Sequence, residues 1–323
     1  MKVNLSSFLQ MRCNVFLFRK LSWDLCVHYI YFLGKLYFFF NRRERARIAE
    51  SVEEVFARRR SRELETIITN VFRGVLSHYY EKIFNAYEDL QGLKEFFRTR
   101  IEAKDLNKLD HALSRKNGVL FVTGHYGGIE YIPIYLAAHA YPISVIAKFK
   151  TQHLKETLYN KTNKLGLRII DAAEKNTILG AIIHEIKENR IVFIECDEIE
   201  EWKPSRAEKM YFLGRMIGVD RTIGLIQRRT GAEVVFGLLH RFTLQKYSLI
   251  IKNYRDMGLN GHSDRSLVGK AILRHLEQYI YTYPEQWYQW KNYSEIKEVF
   301  APQNYDEKVK PLRVLRPVLG ESI

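Results

Sequence analysis

The residues most able to do chemistry lie in the stretch NGVLFVTGHYGGIEYIPIYLAA, residues 117–138. A buried strand ends in Thr123-Gly124, His125 follows, Gly127 and Gly128 loosen the backbone, and a helix opens with Glu130 in its first turn and Pro133 close behind. Sites in open α/β sheets sit at the carboxyl ends of strands, where His125 stands. Because His125 precedes the helix, a turn through Gly127-Gly128 can fold its imidazole back against the Glu130 carboxylate. Such a pair is suited to taking a proton from a hydroxyl near neutral pH, the carboxylate fixing the tautomer and stabilising the imidazolium. The blander reading is a strand-end histidine capping the helix start, with Glu130 a solvated acid that favours the helix dipole. Spacing alone leaves both readings open.

Other groups fall near the same strand ends. Lys148, Lys150, Arg215 and Arg221 follow strands or turns and can grip a phosphate; the alternative is ordinary surface cations. Asp197, at another strand end, can orient a substrate or a basic side chain. Cys196 falls within an apolar strand with no base placed for it, which argues against a nucleophile. Cys13, Cys26 and Cys196 are far apart and form no CxxC pair, so neither a disulfide scaffold nor a zinc site is expected, and a reducing compartment fits.

These residues need a scaffold. After residue 115 short apolar runs alternate with helical stretches, predicting strands at Val119–Thr123, Ile143–Phe149, Leu167–Asp171, Ile191–Cys196, Ala232–Leu239 and Tyr247–Asn253. Helices are expected over Ile129–Ala138, His153–Leu165, Asn176–Glu188, Arg221–Arg229 and Leu267–Tyr281. The alternation predicts an α/β fold, a mixed central sheet flanked by helices. The chain divides into a membrane-associated amphipathic segment (1–40), a helical region (41–115), an α/β core (116–295) and an irregular basic tail (296–323). In the first segment Arg19, Lys20, Asp24, His28 and Lys35 interrupt any uncharged run long enough to span a bilayer. Lys20, Asp24, His28 and Lys35 gather on one side of a helix and leave Leu21, Leu25, Cys26, Tyr29, Phe32, Leu33 and Leu36 on a broad apolar face, the pattern of a helix lying in a membrane interface. The other reading is a core helix with one wet edge. No signal-peptide pattern is seen, so the segment is expected to stay on the protein.

With 323 residues, 46% of them hydrophobic, the chain can bury a large core. A net charge of +14 draws it to anionic surfaces, whether phospholipid, nucleic acid or an acidic carrier protein. No nucleic-acid-binding module is present, so nucleic acid is not an expected partner. The arginines at 42, 43, 45, 47, 58, 59, 60 and 62 either form a solvated helix face or hold anionic lipid.

Together with GHYGGIE, three further stretches carry a family resemblance: IVFIECDE (191–198), FLGR (212–215) followed by QRRTGAEVVFGLLHR (227–241), and LEQYIYTYPEQWYQW (276–290). Over residues 16–293 the chain resembles the late acyltransferases of lipid A biosynthesis, the lauroyl and myristoyl transferases, within the glycerolipid acyltransferase superfamily. The resemblance implies attack of a lipid hydroxyl on an acyl thioester, with His125 as general base and Glu130 its partner. Gly127, Gly128, Lys148, Asp197, Arg215 and Arg221 would serve substrate, the Gly127-Gly128 amides or a cation holding the oxyanion. It implies no metal or redox cofactor, an acyl carrier protein or coenzyme A donor, a lipid A precursor as acceptor, and the cytoplasmic face of a bacterial inner membrane. A lysophospholipid, glycolipid or aminolipid acceptor is the runner-up. Glu198 stands where the family has glutamine, Met216-Ile217 where it has Pro-Ala, and Thr222-Ile223 where it has Gly-Pro; the first and last lie where substrate would bind and leave the acceptor open. A hydrolase using water at the same pair, and a membrane-surface or nucleic-acid binding protein in which the pair is incidental, are the rival classes.

Overall fold

The structure, a computed structural model, describes residues 5–18, 20–149, 152–173, 178–260 and 267–299. Arg19, Lys150, Asn176 and the expected tail from residue 300 onward lie outside them. Six helices lead: α1 (Leu5–Leu9), α2 (Arg12–Phe18), α3 (Trp23–Phe40), α4 (Arg42–Phe56), α5 (Ser61–Tyr87) and α6 (Leu90–Arg100). The expected amphipathic helix is thus broken between α2 and α3. Within α3, Cys26, Ile30, Leu33, Tyr37 and Phe38 are buried, whereas Leu25, Phe32, Phe39 and Phe40 stay 56%, 61%, 59% and 73% exposed, beside exposed His28 and Lys35. Cys26 and Leu33, expected on an outward apolar face, face inward instead, because α3 packs along α5. The Asp24 side chain lies outside the described residues. No helix among the described residues is long and apolar enough to cross a membrane.

The remaining chain follows as β1 (Ile101–Ala103), α7 (Leu106–Ser114), β2 (Val119–Thr123), α8 (Ile132–Ala138), β3 (Ile143–Ala147), α9 (Gln152–Asn163), β4 (Arg168–Asp171), α10 (Ile178–Lys187) and β5 (Ile191–Glu195). Then come β6 (Pro204–Phe212), β7 (Arg215–Asp220), α11 (Thr222–Thr230), β8 (Glu233–Thr243), β9 (Lys246–Lys252) and α12 (Val268–Thr282). Seven strands form a sheet in the order β1-β9-β8-β2-β5-β3-β4, and β6 and β7 form a separate hairpin. The neighbours from β8 to β4 run parallel, while β9 is antiparallel to β8 and parallel to β1, so the sheet is mixed.

Parallel central strands are covered on both faces and therefore read as continuous apolar runs. In β2, Leu120 and Val122 face the layer that holds α12 and the N-terminal helices, and Val119 and Phe121 face the layer that holds α6, α7 and α8. Residues from α1 through α5 share one apolar cluster with the sheet.

Two contacts seat α5 over the strand ends. The buried Glu81 carboxylate takes the Arg241 guanidinium of β8 at 2.6 Å and the Tyr247 hydroxyl of β9 at 3.0 Å. Removing one partner of such a buried pair costs about 3–5 kcal/mol. Gly74 of α5 lies against the turn Pro284–Gln286, where a Cβ would meet the Glu285 carbonyl oxygen at 1.6 Å. Overpacking of this kind costs roughly 1–3 kcal/mol. Gly74→Ala should therefore lower the thermal midpoint clearly more than Gly224→Ala, whose added carbon meets only the tip of Arg228 at 3.4 Å. Differential scanning fluorimetry of the two variants checks this, and equal midpoints would count against a tight contact.

Candidate active site

The parallel pairing of β2 with β5 sets Thr123 level with Glu195. Each chain then runs two residues beyond its last paired position, which brings His125 against Asp197. The Asp197 carboxylate is wholly buried; it accepts from the His125 backbone N–H at 3.0 Å and lies 2.8 Å from His125 Nδ1. A third donor, the Trp287 indole Nε1–H, reaches Oδ2 at 2.7 Å. With Nδ1 committed, Nε2 lies 3.3 Å from the partly exposed Glu198 carboxylate. The His125 side chain is 14% exposed.

Burial opposes charging this imidazole, but Asp197, with Glu195 and Glu198 around it, outweighs burial and raises the His125 pKa to about 9. Burial, reinforced by Glu198, Asp197 and Glu130 and opposed by His125, pushes Glu195 up to about 7. Strongly perturbed groups gathered at one strand end mark a functional site.

Glu130 does not fold back onto the imidazole. The Gly127-Gly128 turn, with Gly127 at φ +55°, carries the chain across to α5 before the short 3-10 turn Ile129–Tyr131 begins. The Glu130 carboxylate there lies 3.3 Å from Lys82 Nζ and 3.7 Å from His78 Nε2, and its carbonyl accepts from Asn85 at 2.8 Å. Among the described residues no hydrogen bond or ion pair joins Glu130 to His125; Asp197 holds the position expected of Glu130. His78 stacks on Tyr288 with centroids 3.5 Å apart, and Tyr288 meets His125 edge-on at 5.2 Å, so one aromatic ring separates the two imidazoles. Burial first, and then the charges of Lys82, His125, Arg241 and Lys291, hold the His78 pKa well below its ordinary value.

The remaining expected site residues divide. The Gly127 and Gly128 amides donate at 2.9 Å to the carbonyls of Gln286 and Leu239, so neither is available to an oxyanion. Arg215 is taken up by structure: it makes a two-pronged pair with Glu54 at 2.9 Å, donates to the carbonyls of Tyr293, Ser294 and Ile296, and lies 4.3 Å over the Tyr293 ring. Lys148 is exposed just beyond β3, and Arg221 is exposed at the start of α11, its amide donating to the Lys203 carbonyl at 3.3 Å; neither side chain touches the His125 cluster among the described residues.

Sequence reading missed His78, Lys82 and Asn85, although a signal was present. In the otherwise apolar second half of α5 they recur at helical spacing and share one side with Glu81. The described residues hold no group of three or more side chains arranged to bind a metal ion.

A search of the curated proteins finds no match. The sequence profile of the family described as bacterial lipid A biosynthesis acyltransferase matches residues 11–292, which takes in the helices from α2 onward, the whole sheet and the turn that carries Trp287. With a match over most of its length and an imidazole–carboxylate pair at the strand ends, the chain belongs to the bacterial lipid A biosynthesis acyltransferase family and is an acyltransferase.

Proposed function

We propose that the chain moves a fatty acyl group from an acyl thioester to a hydroxyl of a lipid A-type glycolipid precursor, with His125 as general base and Asp197 as the carboxylate that orients it. The observation that carries this reading is the imidazole held at Nδ1 by a fully buried carboxylate, with Nε2 on the side of the partly exposed Glu198. A hydroxyl placed at Nε2 gives up its proton there as its oxygen attacks the thioester carbonyl. The tetrahedral intermediate then expels the thiolate, which takes the proton back from the imidazolium. Glu130 serves the acceptor's polar groups in this scheme, and Lys82 beside it supplies positive charge for the oxyanion, because the Gly127 and Gly128 amides are already donating. The route requires no metal or redox cofactor. The +14 charge favours an acidic carrier protein as donor over free coenzyme A.

The acceptor is a membrane lipid, and the exposed Leu25, Phe32, Phe39 and Phe40 of α3, next to the arginine-rich start of α4, form the surface that meets it. Aromatic side chains beside arginines suit the interface of an anionic bilayer. We place the protein on the cytoplasmic face of a bacterial inner membrane on that basis, together with its family.

Replacing Phe32, Phe39 and Phe40 together by serine removes about 1.5–3 kcal/mol of burial for each ring that enters the interface. The triple variant should shift from the membrane pellet to the supernatant after a salt wash. A variant that pellets like the parent would mean that another surface makes the contact.

General-base catalysis is worth roughly 10² to 10⁴ in rate. His125→Ala should thus lose at least the smaller factor in turnover of one thioester with one lipid acceptor, and Asp197→Asn should lose most of the same factor. Glu130→Gln should act mainly on the Michaelis constant for the acceptor. Near-normal turnover in His125→Ala sinks the mechanism, and a Glu130→Gln loss that merges non-additively with that of His125→Ala would return Glu130 to the imidazole.

Only the neutral imidazole takes a proton, and its pKa stands at about 9. The rate constant kcat/KM should therefore rise with pH and level off above about 9. The sign for stability is opposite: the attraction between imidazolium and carboxylate supports the fold in full below the ordinary histidine value and fades as pH climbs through about 9. A pH–rate profile already flat at pH 7 would show that Asp197 and its neighbours do not hold the proton on His125.

A further inference from the structure

We propose that Trp287 is a positioning residue for the acyl transfer: its indole N–H fixes the Asp197 carboxylate, and through it the orientation of the His125 imidazole. The inference rests on His125 acting as the base.

Three observations converge on Trp287. Its ring is fully buried, and Nε1–H meets Asp197 Oδ2 at 2.7 Å, the oxygen opposite the one that faces His125 Nδ1. The carboxylate is thereby held at both ends, and it cannot rotate about its own axis without breaking a charge-assisted hydrogen bond. The backbone around Trp287 grips the histidine loop as well. Tyr126 and Trp287 form an antiparallel bridge, the Gly127 amide donates to the Gln286 carbonyl at 2.9 Å, and the Tyr288 amide donates to the His125 carbonyl at 3.2 Å. Gln286 anchors this grip to the sheet: the Arg241 amide donates to its Oε1 at 2.8 Å, and its Nε2 donates to the Arg241 carbonyl at 3.0 Å. The indole is thus delivered to Asp197 from a segment tied independently to β8.

A nearby residue separates this role from plain packing. Trp290 is equally buried, lies 4.8 Å from the Trp287 ring, and spends its own indole N–H on the Pro284 carbonyl at 2.8 Å. Trp290→Phe and Trp287→Phe therefore each remove one buried indole and one hydrogen bond of similar length, but only the second touches Asp197.

The donor also withdraws negative charge from Asp197. Without it the carboxylate attracts the imidazolium more strongly, in a setting that includes Glu195 at the end of β5, Glu198 beyond it, His78 of α5 and the edge of Tyr288. The acid limb of the pH–rate profile should then move to higher pH.

The experiment compares the full-length protein with its Trp287→Phe, Trp290→Phe and His125→Ala variants, using one thioester and one lipid acceptor from pH 6 to 10. Trp287→Phe is expected to lower kcat by roughly 10- to 100-fold with KM little changed, the scale of one hydrogen bond to a charged group, and to displace the acid limb. Trp290→Phe should leave the limb in place and cost less in kcat, at a comparable loss of thermal midpoint. If the two tryptophan variants behave alike, or if the limb of Trp287→Phe does not move, Trp287 is only a packing residue and the inference falls, even where His125→Ala is inactive. If His125→Ala turns over almost normally, the reading of His125 as base fails first, and Trp287 has no base to position.

Discussion

A carboxylate removed from water must be met by donors on every side, and in this protein the Asp197 carboxylate sets that demand. It is met from two distant parts of the chain: by the backbone and ring of His125 at the end of β2, and by the indole of Trp287 beyond α12. Satisfying it requires β2 and β5 to be adjacent, parallel and level, and the turn after α12 to lie across their ends. The large apolar layers on both faces of the sheet provide the free energy to hold that arrangement. The carboxylate determines which arrangement of the loops leaves no buried charge unpaired.

Much of the scaffold was legible from residue order. The apolar runs at 119–123 and 191–195 read as strands because both of their faces are buried, and the helices after β3 and β4 follow from their spacing, while the one after β2 is apolar all round and is marked by Pro133 near its start. The β6–β7 hairpin was not legible: Pro204 and the charged residues that follow resemble a loop, and their pairing depends on partners across the hairpin, with a register shift inside it. The short β1 was missed for a similar reason, since three residues carry no period of their own and join the sheet only through β9.

His125 could be found from its strand end and its glycines, whereas the carboxylate that meets its ring could not. Sequence distance favoured Glu130, five residues away, over Asp197, seventy-two away, but strand adjacency reversed that order. By sequence Asp197 reads as able to orient a basic side chain, and only the order β2-β5 in the sheet shows which one. Arg215 shows the converse. A cation after a turn looks available to a phosphate until the fold sets Glu54 of α4 and the carbonyls near Tyr293 around it.

The clamp on Asp197 also has a bearing on how the protein comes into being. A ribosome makes the chain from the amino end, so β2 and β5 can pair well before residues 284–288 have been made. Until then Asp197 lacks its indole, Gly127 lacks the Gln286 carbonyl, and the Arg241 backbone lacks the Gln286 side chain. An emerging chain therefore holds a nearly complete sheet around a loosely held His125–Asp197 pair, and acquires a rigid one only when the turn at 284–288 closes over it. The clamp on Asp197 is completed late in synthesis, after α3 and α4 have already been made.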